Sequence, residues 1–466
     1  MTNTPIRQTT MMLRGVVLTL LLGIWAPLAS SASGQIAPGT DSADPPTTSP
    51  ASAEPAGPAP GEELSIYVMT MGPGPEVWER FGHNAIRVRD ERLGTDIAYN
   101  WGMFSFEQEG FLLRFIQGRM LYWMEGFDAQ LMANAYAGAD RSVWIQELEL
   151  SPTQRADLRD FLEWNAREEN RYYLYDYYLD NCSTRVRDAI DLALGGQLRE
   201  KTGLIPARMT FRAHTRSLTG GDPLLYTGLM LGLAQPVDRP ISVWEEMFLP
   251  MELMSRIREM TVVNEAGETV PLVKSEFAAW ERTAPLTLAD PSSRWLTFTL
   301  VGVLAGGVVL LTGVQRARHR SGGALFPWLT TAWAVVTGML GMVLLGLWVA
   351  TDHTAAHYNE NLFQVNPLLL GLAVLVPLAA RGSAVMAGRA ARLAVVIAGL
   401  SVIGLLARVL PGFTQSNGEI IGLVMPVHLA VAYSLVVLAR SRRRPGSADG
   451  NAYFRGTDLG QTVVAE

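Results

Sequence analysis

The sequence has few charges and almost no cysteine. Only 18% of its 466 residues are charged and 48% are apolar, which excludes an ordinary, fully soluble protein. A net charge of −6 without a long run of lysine and arginine gives no support to nucleic-acid binding, because such binding depends on basic side chains that neutralise the phosphates. One cysteine excludes an internal disulfide. The sequence therefore directs attention to membrane segments and to the role of a single thiol.

The first 32 residues have the order of a secretory signal peptide. Arg7 and Arg14 precede the uncharged stretch 15–29, and small residues follow it. We expect cleavage near Ala32, with an uncleaved anchor as the alternative. No cysteine stands at this position, so the protein is not itself predicted to be a lipoprotein. Residues 33–62 are dominated by Ala, Pro, Ser, Thr and Gly, which predicts a disordered linker.

Five apolar segments after residue 290 predict a transmembrane domain over residues 291–440. The first two are uncharged and long enough to cross about 30 Å of hydrocarbon, and three weaker segments complete the set. In chain order they run from Trp295 to Val314, Pro327 to Ala350, Leu362 to Ala380, Leu393 to Leu410 and Ile420 to Ala439. We therefore predict an all-α domain of five spanning helices and a tail over 441–466.

The arginines between these segments predict an orientation. They follow the first, third and fifth segments, as Arg316, Arg318, Arg320, Arg381, Arg389, Arg392, Arg440, Arg442, Arg443 and Arg444. The loops 351–366 and 411–419 contain no lysine or arginine. Because positive loops stay in the cytoplasm, the C-terminus is predicted to be cytoplasmic and residues 63–290 to be periplasmic. The expected location is a bacterial inner membrane, which agrees with the secretory signal.

Residues 63–290 have the pattern of a globular domain, and roughly 230 residues are ample for a core. Strands are predicted at Leu64 to Met71, Ala85 to Arg89 and Ile97 to Trp101, as an antiparallel set. Ser151, Pro152 and Gln154 form a capping box that begins a helix. Residues 260–273 predict a hairpin. The expected fold class is α+β, with an antiparallel sheet and helices.

The cysteine is predicted to lie in the first turn of a helix. After Asn181, apolar positions recur at helical spacing until two glycines end the pattern. This stripe contains Cys182, Val186, Ala189, Ile190, Ala193 and Leu194, so the sulfur points inward. Positive partial charge at a helix N-terminus favours the thiolate, which makes Cys182 a candidate nucleophile. A buried structural thiol is the alternative.

His83 is the candidate base for this thiol. The predicted globular domain has one other histidine, His214, whose neighbours Arg212 and Arg216 are typical of a solvated helix face. His83 opens a predicted strand, and Gly82 before it allows a tight approach.

Two residues on the following strand compete to orient the His83 imidazole. Asn100 would hold the ring nitrogen that faces away from the sulfur, and Asp96 could take the same role. A core or turn role for His83 and for Asn100 stays open at this stage.

These residues carry a resemblance to a known family. The motifs are F-G-H-N-A-I-R-V, Y-N-W-G-M-F, Y-D-Y-Y-L-D-N-C-S-T-R-V-R-D and T-D-H-T-A-A-H-Y-N-E-N-L-F-Q-V-N-P-L. Over residues 63 to 440 the chain resembles the Lnb-type lipoprotein N-acyltransferases. Their periplasmic domain resembles a circularly permuted NlpC-like, papain-related thiol fold, in which the histidine strand precedes the cysteine helix.

The resemblance implies an acyl transfer without metal or cofactor. Cys182 would take a fatty acyl chain from a membrane phospholipid as a thioester and pass it to the α-amine of a diacylglyceryl-cysteine lipoprotein. His83 would be the base and Asn100 the third member. Backbone N–H groups at the start of the cysteine helix, supported by Asn181 and Ser183, would hold the oxyanion.

The outer loop 351–366 and a tyrosine-rich segment have open roles. His353, His357 and Asn361 are predicted to contact the globular domain or the substrate, and an interfacial loop without a specific role is the alternative. A metal site is a weaker alternative, because no strong third ligand is present. The tyrosines either flank an acyl groove or only pack against the core. They are Tyr172, Tyr173, Tyr175, Tyr177 and Tyr178.

Two other functions use the same residues. A membrane-anchored cysteine amidase or peptidase acting on cell-wall peptide would pass the acyl group to water, and its activity would survive removal of the spans. A non-enzymatic membrane scaffold would keep full function after Cys182→Ser. We expect activity to survive a metal chelator.

Overall fold

The computed structural model describes residues 60–283, 288–319 and 323–443. The predicted signal peptide, the linker up to residue 59 and the tail from residue 444 lie outside these described residues. We call residues 60–283 the sheet domain and residues 295–443 the helix domain.

The described residues of the sheet domain form a seven-stranded antiparallel sheet in the order β6-β4-β3-β2-β1-β5-β9. Its strands and a separate hairpin of β7 and β8 are β1 Leu64–Met71, β2 His83–Asp90, β3 Thr95–Met103, β4 Leu121–Asp128, β5 Val143–Leu148, β6 Tyr172–Leu174, β7 Thr261–Val263, β8 Thr269–Pro271 and β9 Val273–Trp280. The three predicted strands and the predicted hairpin are present, and the α+β architecture with an antiparallel sheet is confirmed.

Helices pack on both faces of the sheet, and further helices of this domain form a separate core beside it. In chain order they are α1 Phe111–Gln117, α2 Ala129–Gly138, α3 Pro152–Asn165, α4 Cys182–Ala193, α5 Gln197–Thr202, α6 Phe211–Thr219, α7 Pro223–Gly232, α8 Val243–Glu246 and α9 Pro250–Glu259. Ile66 and Ile86 of the strands share one core with Val186 and Ile190 of α4, all fully buried. Each such side chain contributes roughly 1.5–3 kcal/mol on burial, so α4 is held firmly against the sheet.

One end of the sheet, which we call the site end, collects the predicted functional residues. Met71 at the end of β1 pairs with His83 at the start of β2, and Met103 at the end of β3 pairs with Trp123 near the start of β4. The turn that contains Leu93 joins β2 to β3 at the opposite end.

The helix domain contains α10 Trp295–Arg318, α11 Leu325–Ala350, α12 Leu369–Ala380, α13 Ala384–Ala407 and α14 Gly418–Arg443. Among the described residues, four of these helices are long and apolar enough to cross a membrane, and α12 is not. Its twelve residues rise about 18 Å, which is short of about 30 Å of hydrocarbon. The prediction of five full-length spans is therefore wrong for the third segment.

The third segment is not one long helix, and buried polar residues precede α12. The chain makes a short 3₁₀ turn at Glu360–Phe363 and enters α12 only at residue 369. The Gln364 side chain donates to the carbonyl oxygen of Ser401 at 3.0 Å, and the backbone of Asn366 lies close to Gly341 of α11. Hydropathy averaged over 362–380 does not detect this buried polar segment.

Two of the predicted arginines, one from the first group and one from the last, lie at one end of the helix domain. Arg316 near the end of α10 donates to the carbonyl oxygen of Ala380 at 2.9 Å, so α10 and α12 end at the same level. Arg442 at the end of α14 lies beside Gly382. The loop that begins after Ala350 is at the other end of α11.

The predicted solvated face at His214 is wrong, because this side chain and both neighbouring arginines are buried. His214 lies 3.0 Å from Glu246, Arg212 forms a bidentate pair with Asp238, and Arg216 lies 3.2 Å from Glu419 of α14. These acidic partners are 26 to about 200 residues away in the chain. A local charge pattern cannot reveal such partners, and buried charges need them.

Candidate active site

Cys182 begins α4, as the sequence predicts, because Asn181 caps the helix. The Asn181 side-chain oxygen accepts hydrogen bonds from the backbone N–H groups of Ser183 and Thr184 at 2.9 and 3.0 Å. The Thr184 hydroxyl in turn accepts from the Asn181 backbone N–H at 2.8 Å, which completes a capping box. The cap fixes the first turn of α4 and, with it, the position of the thiol.

His83 is held at the start of β2 by a glycine. Gly82 has a φ of +83°, and a Cβ there would lie 2.8 Å from the carbonyl oxygen of Met71. Both features favour glycine, so the chain can turn directly into the strand that carries the histidine.

Asn100, rather than Asp96, binds the His83 ring. The ring nitrogen Nε2 lies 3.0 Å from the Asn100 side-chain oxygen, and the Asn100 amide donates to the carbonyl oxygen of Ala98 at 2.9 Å. With the amide oriented in this way, Nε2 carries the hydrogen and Nδ1 stays an acceptor. Asp96 instead forms a bidentate pair with Arg87, at 2.6 and 2.5 Å.

The thiol is brought next to the histidine strand by packing of α4 on β2 and β3. A Cβ at Gly102 of β3 would lie 3.4 Å from the Cys182 Cβ, and Gly102 has a φ of +92°. The backbone N–H groups of Asn84, Ser183 and Cys182 itself face the sulfur. Among the described hydrogen bonds of His83, none reaches the sulfur. The site therefore holds the candidate base His83 and the thiol on neighbouring elements, with three N–H donors around the sulfur.

Both groups are uncharged at neutral pH. Burial raises the pKa of Cys182 to about 11, although the surrounding N–H groups and Arg141 oppose this shift. Burial lowers the pKa of His83 to about 4, and the bond to Asn100 opposes that shift. The positive partial charge of the helix N-terminus favours the thiolate, as expected from the sequence, but burial has the larger effect on the thiol in this state.

The structure adds Arg141 and Tyr136, which the sequence analysis missed. Arg141 is 4% exposed, donates to the carbonyl oxygen of Gly72 at 2.9 Å and pairs with Glu79 at 3.2 Å. Its guanidinium lies 4.6 Å from the Tyr136 ring centre, and Tyr136 stacks on His83 at 6.1 Å. The Arg141 charge favours a thiolate and disfavours an imidazolium. No motif around Arg141 indicates this position, which depends on the pairing of β5 with β1.

Asn181 and Ser183 do not have free side-chain donors for an oxyanion. The Asn181 amide donates to the carbonyl oxygens of Tyr177 and Phe248, at 3.0 and 3.1 Å, while its oxygen caps α4. The Ser183 hydroxyl donates to the carbonyl oxygen of Met247 at 2.8 Å. Any support that these two residues give to an oxyanion therefore comes from the backbone at the start of α4.

The five tyrosines before α4 divide into two groups. Tyr173 and Tyr175 are near the sulfur: burial raises the pKa of each well above its usual value, and the nearby Cys182 charge adds to this. Tyr177 continues from Tyr175, with ring centres 5.8 Å apart. Tyr172 instead lies exposed at the sheet edge and Tyr178 packs in a separate core. Only Tyr173, Tyr175 and Tyr177 can therefore line the site.

The outer loop contacts the sheet domain through His353. Its Nε2–H donates to the carbonyl oxygen of Phe115 in α1 at 2.8 Å, and its ring stacks on Tyr177 at 6.4 Å. The predicted contact between the loop and the globular domain is thus present. Asn361 also contacts that domain, donating to the carbonyl oxygen of Leu231 at 2.9 Å.

His357 does not share the face of His353. The chain between them forms a 3₁₀ turn, and His357 donates within its own loop to the carbonyl oxygen of Thr351 at 2.9 Å. In the described residues, no three His, Cys, Asp or Glu side chains are grouped to hold a metal ion.

Two family models match the chain on either side of the boundary between its domains. The Lnb N-terminal periplasmic domain matches residues 57–217, and the Lnb transmembrane domain matches residues 292–410. No match was found among the curated proteins or the solved structures. The two matches together cover more than half of the chain and include Cys182, His83 and the outer loop. They also support an inner-membrane protein with a periplasmic domain. The chain therefore belongs to the Lnb-type lipoprotein N-acyltransferase family.

Proposed function

We propose that this protein transfers a fatty acyl chain from a membrane phospholipid to the α-amine of a diacylglyceryl-cysteine lipoprotein, through a thioester on Cys182. The main observation behind the proposal is the position of the only cysteine, Cys182. It lies at the site end of the sheet, beside the strand of His83, in a chain of the Lnb family. The order of the histidine strand before the cysteine helix fits the proposed circularly permuted NlpC-like fold.

In the first half-reaction the Cys182 sulfur attacks the ester carbonyl of the phospholipid. His83 Nδ1 takes the thiol proton as the carbon–sulfur bond forms, since neither group is charged beforehand. The backbone N–H groups of Asn84, Cys182 and Ser183 stabilise the tetrahedral oxyanion. The carbon–oxygen bond then breaks, and the leaving alkoxide takes the proton from His83 and departs as a lysophospholipid.

In the second half-reaction the lipoprotein amine attacks the thioester carbonyl. His83 takes a proton from the attacking nitrogen, the carbon–sulfur bond breaks, and the thiolate of Cys182 recovers the proton. The product is an amide, and the enzyme returns to its starting state. Both substrates are membrane lipids, which gives a physical reason for a thiol domain joined to spanning helices.

The orientation of the site relative to the membrane supports the proposal. The outer loop contacts α1 and Tyr177 near the site end, while Arg316 and Arg442 mark the opposite end of the helix domain. By the positive-inside rule this basic end is cytoplasmic, and so is the C-terminus. The thiol then lies on the periplasmic side, next to the outer leaflet.

The test is the intact mass of the full-length protein after incubation with phospholipid vesicles, before and after neutral hydroxylamine. We expect a gain of one fatty acyl chain that hydroxylamine removes and that Cys182→Ala lacks. Adding a diacylglyceryl-cysteine peptide should discharge the adduct and yield the N-acylated peptide.

Other results would contradict the proposal. An adduct discharged equally well by water alone would indicate a hydrolase. Cell-wall peptide cleavage without an adduct would favour the amidase. Full function in cells carrying Cys182→Ser would favour a scaffold.

A further inference from the structure

An exposed apolar surface surrounds the site end of the sheet. It consists of Trp78, Phe106, Leu112, Leu113, Phe115 and Ile116, which we call the apolar rim. Four of its members belong to the single short helix α1, and Leu113 is 60% exposed. Six large apolar side chains exposed together on one edge of a domain mark a contact surface rather than ordinary surface residues.

The position of α1 relative to the spanning helices identifies the partner. The backbone N–H of Asp352 donates to the carbonyl oxygen of Gln117, the last residue of α1, at 2.8 Å. Asp352 is two residues beyond Ala350, where the spanning helix α11 ends. Helix α1 is thus fixed at the level of the C-terminal end of the spanning helix α11.

Side chains typical of the membrane–water boundary occur at this level. Trp348, in the last turn of α11, packs against Tyr358 with ring centres 5.5 Å apart. Arg119 lies just after α1 and pairs with Asp352 at 2.5 Å, with both side chains more than half exposed. Tryptophan, tyrosine and solvated arginine concentrate in the headgroup region.

A row of aromatic rings connects α1 to the thiol. Ring centres lie 6.2 Å apart between Phe111 and Phe104, 5.1 Å between Phe104 and Tyr122, and 4.3 Å between Tyr122 and Tyr175. Tyr175 and Cys182 both pack against the core of the sheet domain. Apolar surface therefore continues from the exposed side of α1 to the neighbourhood of the sulfur.

We propose that the apolar rim is inserted into the outer leaflet of the bilayer that the helix domain spans. Helix α1 is a second, interfacial attachment of the sheet domain to the membrane, next to the thiol. The proposal depends on the membrane location of the helix domain and not on the acyl-transfer chemistry.

The test measures contact of α1 with lipid directly. Cys182→Ala removes the only cysteine, so one new cysteine can carry an environment-sensitive fluorophore in the full-length protein. Leu113→Cys and Leu112→Cys report on α1. Leu93→Cys is the matched control, because Leu93 is 65% exposed but lies in the β2–β3 turn at the opposite end of the sheet.

The labelled variants are reconstituted into phosphatidylethanolamine–phosphatidylglycerol vesicles with or without lipids that carry a nitroxide on the acyl chain. We expect blue-shifted emission at positions 112 and 113, with several-fold stronger quenching by the lipid nitroxide than at position 93. Aqueous iodide should quench position 93 more strongly than the two positions on α1.

Two results would overturn the proposal. Equal quenching of all three positions by iodide would mean that α1 is in water. Protection of α1 from both quenchers would mean that protein covers it, for example a second copy of the chain. Because all variants lack Cys182, either result is independent of whether the thiol forms a thioester.

Discussion

In the proposed mechanism, His83 and Cys182 divide the chemistry without ionising beforehand. Burial keeps the imidazole neutral and able to accept a proton, and the same burial keeps the thiol protonated until a substrate carbonyl is present. Such a site is protected from reaction with soluble electrophiles, because the thiolate is the reactive form. The hydrogen bond between His83 Nε2 and Asn100 then orients the ring, and Nδ1 remains the nitrogen that can accept a proton.

The pH dependence of thioester formation tests this assignment. With the pKa of His83 at about 4, the base is neutral at every pH above that value, so the rate should stay level from near-neutral pH down to about pH 5. Below pH 4 the ring is protonated and the rate should fall. An imidazole with its ordinary pKa of about 6.5 would already lose activity below pH 6.5. Initial rates of adduct formation, measured by intact mass from near-neutral pH to below pH 4, distinguish these two pKa values of His83.

Asn100→Asp should shift the fall in the rate of thioester formation at low pH toward neutral pH. A carboxylate beside Nε2 favours the protonated ring and so raises the pKa of His83. Asp96→Asn is the matched control, since Asp96 lies on the same strand but pairs with Arg87. An unchanged fall at low pH in Asn100→Asp, or an equal shift in Asp96→Asn, would contradict a direct role of position 100.

At the scale of elements, local signals were sufficient for the parts that hold the thiol. The capping sequences at Ser151 and Asn181 lie within four residues of the backbone groups that they satisfy, so the sequence alone predicted where α3 and α4 begin. The apolar pattern predicted the next strand over Ala85 to Arg89, and His83 after Gly82 was predicted to open it. The structure has this strand over His83–Asp90.

Elements whose environment depends on distant partners could not be predicted in this way. The Arg212–His214–Arg216 run has the polarity of a surface, and only Asp238, Glu246 and Glu419 make it a buried face. Arg141 reaches the site through the pairing of β1 with β5, which has no sequence motif. The third span was predicted too long, because mean hydropathy does not distinguish a helix from an apolar segment that contains buried polar residues such as Gln364 and Asn366.

The turn that carries His83 into β2 gives a prediction for this element. Gly82→Ala should strain a backbone with a φ of +83° and bring the new methyl group into the carbonyl oxygen of Met71. Gly94→Ala is the matched control, because Gly94 has a φ of +66° but open space around it. The control should cost about 1–2 kcal/mol, and Gly82→Ala should cost more and also slow thioester formation.

Thermal unfolding in detergent and adduct formation by intact mass measure the two effects. If the two alanine variants lost equal stability and kept equal rates, the close approach at Gly82 would not be what positions His83.

At the scale of the whole molecule, the two domains are joined by a buried charge as well as by the outer loop. Glu419 at the start of α14 is fully buried. It lies 3.2 Å from Arg216 of α6, accepts a hydrogen bond from the Tyr226 hydroxyl at 2.9 Å and another from the backbone N–H of Arg294 at 3.2 Å. One carboxylate thus connects α6 and α7 of the sheet domain to α10 and α14, which sets the height of the thiol above the membrane.

Glu419→Ala should therefore weaken the attachment of the sheet domain much more than loss of a surface pair. Removing one partner of a buried pair leaves Arg216 uncompensated, at about 3–5 kcal/mol. Asp352→Ala is the matched control, because its pair with Arg119 joins the same domains but is exposed, and should cost no more than about 1 kcal/mol. We expect Glu419→Ala to lower the unfolding temperature and to speed proteolysis between residues 288 and 294. It should also slow thioester formation from vesicle lipid, because the thiol is no longer held at the leaflet. Equal behaviour of the two variants would mean that the outer loop alone holds the sheet domain in place.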